Sequence, residues 1–170
     1  MTKYSWKTAD IEDITEMLTL SKLNFEHELK DIFNINFVVS ARNLNLAIVN
    51  QYFNSASELL VVLRKDHKLI AWTWVKRGHR MPWSDEEMSF VNMVCIDQSL
   101  PNRIKIEILV DMMSLWETWS KSVRVYILCS TTMRDHQTAF LKLHQRHGYI
   151  IRGCSAYKRL SAEQTGLPIP

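Results

Sequence analysis

Glycine is scarce in this chain, with four in 170 residues against a usual share of about 7%. Because glycine lets backbone approach a phosphate closely, a glycine-built phosphate cradle is excluded. Cysteine is scarce too. Cys95, Cys129 and Cys154 are odd in number and far apart, with no Cys-x-x-Cys pair, so neither a disulfide framework nor a zinc site is expected. Each lies in an apolar stretch and reads as a small buried thiol in a reducing compartment. The longest unbroken apolar run, Leu59–Leu63, is far below the ~20 residues of a membrane span. The first residues, Met1–Asp13, carry both signs of charge and no apolar block, so no signal peptide is expected and the location expected is cytoplasmic. No Gly-x-Ser-x-Gly elbow, phosphate loop or His-Glu-x-x-His occurs, which excludes hydrolase, nucleotide-hydrolysing and zinc-protease readings. Charge of one sign is lacking as well. With 21 basic and 18 acidic residues the net charge is +3, which argues against nucleic-acid binding through Lys76, Arg77, Arg80, Arg103 and Lys105.

What is present suits one folded domain over residues 1–160 and a flexible tail over 161–170: 46% of the chain is hydrophobic and 23% charged. Tyr4–Lys7 predicts a short strand. Thr8 and Asp10 offer capping oxygens to a helix carrying Ile11, Ile14, Met17 and Leu18. The stretch 24–39 reads as a loop or short helix, and Ser40 as the cap of a second helix with Leu44, Ile48, Val49 and Tyr52 on its inner face. Leu59–Arg64 and Leu69–Val75 form a hairpin around Lys65–Lys68, and Met88–Ile96 is a third strand after a polar loop. The longest helix, Asn102–Lys121, is followed by a strand (Val123–Cys129), a helix (Asp135–His147) stopped by Gly148, and a last strand or bent pair (Tyr149–Leu160). The order β-α-α-β-β-β-α-β-α-β predicts a mixed α/β sheet with helices on both faces.

This layout resembles the GCN5-related N-acetyltransferase (GNAT) superfamily over residues 3–160. The opening Tyr4-Ser5-Trp6-Lys7-Thr8-Ala9-Asp10-Ile11-Glu12-Asp13 is similar to the family's first strand and helix start. Val91–Ile96, a turn and a long helix resemble the elements flanking the acyl-CoA site. Phe140–Tyr149 resembles the late helix and its Gly-aromatic ending. The resemblance implies a mostly antiparallel sheet of six to seven strands, splayed between the fourth and fifth. It implies acetyl-CoA as a substrate, an amine as acceptor, and no metal. It also implies roles. Met93, Val94 and Cys95 would align the thioester, with the N–H of Val94 or Cys95 at the oxyanion. Glu87 would relay the amine's proton, and His144 would protonate the leaving thiolate.

The chain departs from the family's pyrophosphate turn. Gln98-Ser99-Leu100-Pro101-Asn102-Arg103-Ile104-Lys105 puts Arg103 and Lys105 where two small residues would stand. Both can reach phosphate through side chains, with Ile104 between them. Gln137 and His144 replace the family's Asn and Tyr on the late helix. Other candidates read as structural. Trp72 and Trp74 share one sheet face and Trp116 and Trp119 one helix face. Glu86 is part of a charged strand entrance, and His79 with Arg77 and Arg80 is a basic loop. His144 and His147 are spaced for a metal but lack a third ligand, while His27, His67 and His136 have no acidic partner at ligand spacing. The departures, with six Trp and eight Met, support an alternative: a non-catalytic GNAT-fold protein in a homo- or hetero-oligomer, resembling phage accessory or virion proteins.

Overall fold

The computed structural model describes residues 4–28, 33–132 and 138–153. In chain order these form β1 (Ser5–Thr8), a 3-10 turn (Ile11–Asp13), α1 (Ile14–Glu28), α2 (Phe37–Phe53), β2 (Glu58–Lys65), β3 (Lys68–Arg80), β4 (Glu87–Ile96), α3 (Asn102–Ser122), β5 (Ile127–Ser130) and α4 (Thr138–Arg146). The chain divides into two compact units. The larger holds the residues up to Asn24 together with Asn36–Thr131, and the smaller holds Phe25–Ile35 and the residues from Thr132 onward.

In the larger unit one open sheet runs β1-β2-β3-β4-β5. Neighbours are antiparallel except for the last pair, in which β5 lies parallel to β4. Five strands stand among the described residues where six to seven are expected from the resemblance. Tyr149–Gly153 forms no strand, and the remainder of that expected strand lies outside the described residues. β5 starts later than its apolar run suggests because the end of α3 uses those residues. Val125 N–H donates to Ser120 O at 2.9 Å and Arg124 N–H to Lys121 O at 3.1 Å, with Arg124 at φ 60°. That is a helix stop normally given to glycine. The β2–β3 turn follows the same economy, with Asp66 (φ 48°) and His67 (φ 66°) in the left-handed region that a tight hairpin needs.

Alternation along the strands separates two layers. On one face α1 and α2 bring Met17, Leu20, Leu44 and Ala47 onto Leu60, Val62, Trp72 and Cys95, with Trp74 and Met93 at the margin. On the other face lies α3, whose Ile108, Met112, Met113 and Trp116 are buried. The second helix differs from expectation. Its cap is Asn36, whose Oδ1 accepts the N–H groups of Val38 and Val39, and Ser40 lies inside the helix. Its inner face is Leu44, Ala47 and Gln51. Gln51 is taken inward because its amide pairs with the backbone of Leu60, accepting its N–H at 2.5 Å and donating to its carbonyl at 3.2 Å. Val49 and Tyr52 therefore face outward.

The start of α1 is held by charge. Buried Asp13 accepts from Asp10 N–H at 3.0 Å and Arg64 Nη2 at 2.7 Å, and pairs with Lys7 Nζ at 3.2 Å. Burial alone would raise the Asp13 pKa, but Arg64, the Asp10 N–H and Lys7 together hold it below its ordinary value. The hydrogen bond from Arg64 likewise lowers Glu16. A carboxylate depressed in the folded state stabilises the fold above its unfolded pKa, and loses that contribution as pH falls through its folded value. The contribution of Asp13 and Glu16 is expected to be level near neutrality and to fall once pH drops below about 4.5. In Asp13→Asn, denaturant midpoints taken from pH 7 to pH 3 should fall less steeply. An identical slope in wild type and variant would contradict this assignment.

Candidate functional site

β4 is the strand on which the site is built. It pairs with β5 only from Met88 opposite Ile127 to Val91 opposite Ser130. Beyond that point residues 92–96 of β4 continue with no ladder partner in β5. On its other edge β4 stays with β3, Met93 opposite Trp74 and Cys95 opposite Trp72, but the register slips between Trp74 and Val75. Asn92 is the extra residue, a bulge placed where the β4–β5 ladder ends. The bulge is braced through the sheet. Trp116 Nε1 donates to Thr73 Oγ1 at 3.0 Å, and that hydroxyl donates to the carbonyl of Met93 at 2.9 Å. Thr73 and Trp116 are fully buried, so a hydroxyl that accepts and donates at once is required there.

The α1–α2 face beside Met93 carries a second polar group. Buried Glu58 accepts from Trp74 Nε1 at 2.6 Å and Asn50 Nδ2 at 2.8 Å, with Lys76 Nζ at 3.8 Å. It orients the half-buried Trp74 ring over the sheet. From α1, Ser21 Oγ stands 3.7 Å from Cys95 Sγ. One turn on, Asn24 is buried with both amide atoms unpaired among the described residues.

After β4 the chain turns into α3. Asp97 organises the turn: its Oδ1 accepts the N–H and hydroxyl of Ser99 at 2.9 and 2.6 Å, its carbonyl accepts Leu100 N–H, and Lys68 Nζ lies 2.7 Å from Oδ2. Burial would raise the Asp97 pKa, but Lys68 and Ser99 hold it below the ordinary value. The first helical bond runs from Lys105 N–H to Pro101 O at 3.1 Å. No side chain caps the helix and no acidic residue stands in its first turn. The N–H groups of Asn102, Arg103 and Ile104 thus open a 21-residue helix uncapped. Exposed Arg103 lies along the helix on Glu107 (3.0 Å), and Lys105 Nζ is 3.4 Å from Gln98 O. An uncapped helix start carrying two cations is able to attract an anion.

The structure gathers some of the sequence candidates and separates others. Met93, Val94 and Cys95 stand on the part of β4 beyond β5, and Arg103, Ile104 and Lys105 form the first turn of α3. Glu87 is not brought to them. It lies about 17 Å along the strand from Asn92, in a two-pronged pair with Arg77 that also accepts Gly78 N–H. The Arg77 hydrogen bonds lower its pKa, which weakens it as a base. In the smaller unit, His144 is buried between Phe140 and Tyr149, with ring centroids at 4.0 and 4.8 Å. Its Nδ1 donates to Phe140 O at 2.9 Å. Burial first, and His147 second, lower its pKa despite that bond. α4 ends as expected at Gly148 (φ 83°), where Tyr149 N–H donates to His144 O. Gln137 and Cys154 lie outside the described residues. Sequence reasoning passed over Asn92, Thr73 and Asp97. The signals were a lone amide inside the apolar run of β4, and an Asp-x-Ser step at its end.

Among the described residues no three His, Cys, Asp or Glu side chains are grouped to hold a metal, and no helix is long and apolar enough to cross a membrane. No family model and no curated protein matches the chain. Solved structures do. An aminoglycoside 6′-N-acetyltransferase from Acinetobacter baumannii matches at TM-score 0.67 and 15% identity, covering 94% of this chain and 99% of that one. A predicted acetyltransferase from Clostridium acetobutylicum, solved with acetyl-CoA, matches at TM-score 0.67 and 12% identity over 97% and 100%. Glucosamine-6-phosphate N-acetyltransferase from Arabidopsis thaliana matches at 0.63 and 11% over 94% and 99%. The chain therefore has the fold of the GCN5-related N-acetyltransferases, at identities that establish fold alone.

Proposed function

We propose that the chain is an N-acyltransferase that moves an acetyl group from acetyl-CoA to an amine. The observation that carries this reading is the uncapped start of α3, one turn after the stretch of β4 that continues past the end of its ladder with β5. The N–H groups of Asn102, Arg103 and Ile104 and the side chains of Arg103 and Lys105 would hold the diphosphate, side-chain cations standing in for the missing glycines. The pantetheine arm would lie along Met93, Val94 and Cys95 as a strand-like partner to β4. The N–H of Val94 or Cys95 would stabilise the oxyanion formed when the amine nitrogen attacks the thioester carbon. Collapse of that intermediate forms the amide and releases the thiolate, which takes up the proton the amine gives away. The buried Asn24 amide and the half-buried Trp74 ring, on the α1–α2 face of the sheet, would stand toward the acceptor. Glu87 would serve as a base only by leaving Arg77. His144 would serve as an acid only by taking a second proton at Nε2, which its burial opposes.

Those two constraints favour a second reading, in which the chain binds a CoA thioester or a protein partner without turnover. One experiment separates the two. Acetyl-CoA at millimolar concentration should raise the melting temperature, since ligand at about 100 times its Kd adds about 2.7 kcal/mol. Release of free CoA thiol should follow with at least one of an aminoglycoside, a hexosamine and a peptide amine. A shift without thiol release supports the binding reading, and no shift overturns both uses of CoA.

A further inference from the structure

The outer face of α2 is apolar at both ends and carries exposed Arg42 and Asn45 between them. Val38, Val39, Leu46, Val49, Tyr52 and Phe53 fall within about 140° of one another around the helix, opposite the buried Leu44, Ala47 and Gln51. Val38 is 79% exposed, Tyr52 83% and Phe53 81%. Together the six residues expose roughly 700 Å², Val38 and Val39 before Arg42 and Asn45 and the other four beyond them, where the largest patch of a typical monomer is about 300–600 Å². The last two rings are fixed against each other edge to face, 5.2 Å between centroids. Over 17 residues α2 carries one charge, Arg42, and no acid.

We infer that this face docks against the same face of a second copy of the chain, the two α2 helices antiparallel about a two-fold axis between Asn45 and Leu46. The pattern is self-complementary in that register. Val38 meets the second copy's Phe53, and Val39 its Tyr52. Arg42 lies opposite Val49, and the two Arg42 side chains stay about 10 Å apart along the axis, so neither faces a like charge. A two-fold contact uses the same patch on both copies. The area available per copy is close to the about 800 Å² a standard interface takes from each partner. A helix this apolar on both sides is ordinarily buried on both sides.

Light scattering on the full chain at about 100 µM, a concentration any interface of this class should saturate, tests the inference. Wild type should have twice the chain mass of 20.0 kDa. Leu46→Glu, which sets two like charges at the axis, should return it to the single-chain mass with an unchanged circular dichroism spectrum. The register makes a sharper demand. Val49→Lys should also give monomer by facing Arg42 of the second copy, whereas Val49→Glu should keep the dimer by pairing with it. A wild type of single-chain mass, or a natively folded Leu46→Glu that stays double, would overturn the inference. Equal dissociation of Val49→Lys and Val49→Glu would overturn the antiparallel pairing. None of these outcomes depends on acetyl-CoA.

Discussion

Reversing both cations at the start of α3, in R103E/K105E, is expected to weaken acetyl-CoA binding about 100-fold. The wild-type affinity should fall with added salt and the variant's should not. A helix start attracts an anion through its unpaired N–H groups and aligned dipoles, and a side-chain cation adds charge-assisted hydrogen bonds. Here the backbone contribution is reduced, because Pro101 has no N–H and the amides of Ser99 and Leu100 are spent on Asp97. Arg103 and Lys105 must then carry more of the attraction than side chains do where glycines let the backbone close in. Arg103 is highly exposed and its pair with Glu107 is a solvated one, so it can turn to a ligand at little cost. Calorimetric titration of wild type, R103E/K105E and the remote control Arg80→Glu reads the effect. A double variant within threefold of wild type would mean that the phosphates are not held at this helix.

Thr73→Val is expected to cost about 2–4 kcal/mol of stability, or roughly 5–10 °C of melting temperature for a chain of this length. It should also weaken acetyl-CoA binding about tenfold. Valine has the shape of threonine but neither accepts nor donates, so the buried Trp116 indole N–H and the Met93 carbonyl would both lose a partner. The second loss falls on the bulge at Asn92, where the β4–β5 ladder ends, and so couples stability to the proposed site. Thr73→Ser should restore most of the binding, because the hydroxyl returns, while regaining only part of the stability. Trp116→Phe should lose stability through the cavity it leaves but keep most of the binding, since Thr73 can still donate to Met93. Urea midpoints and titrations on the three variants measure this. If Thr73→Val lost stability with unchanged affinity, the brace would be structural only.

Much of the site's scaffold is legible in one dimension because its causes are local. The alternation of Trp72 and Trp74 with Thr73 and Val75 puts both indoles on one face whatever the rest of the chain does. Asp10 caps because its carboxylate sits next to the N–H it accepts. Gly148 stops α4 because the left-handed position follows the last helical turn. The absence of glycine between Gln98 and Lys105 already says that no backbone cradle of the usual kind is there.

Other features have causes far away in the chain. Glu87, read as a candidate base because it begins an apolar strand, is joined to Arg77 by the β3–β4 pairing. Val49 and Tyr52 share helical spacing with Leu44 and Ile48, yet the core accepted Gln51 instead, since an amide that satisfies both the N–H and the carbonyl of Leu60 can be buried where an extra ring could not fit. His144 reads as a helix histidine among polar neighbours, while in the fold it is buried against Phe140 and Tyr149 and its pKa is lowered, by burial first.

The amino-acid order by itself determined most of which segments coil and which extend, though not the strand expected at Tyr149 or the start of β5, together with the two-sided alternation of the sheet and the cations at the head of α3. These follow from spacing and side-chain type, which neighbours a few residues apart can read. Only the tertiary structure decided where the β4–β5 ladder ends, which hydroxyl braces the bulge, which carboxylates are tied up, and which face of α2 is left outside. Each of those depends on residues tens of positions apart meeting in space, and the geometry of that meeting is set by packing the whole core.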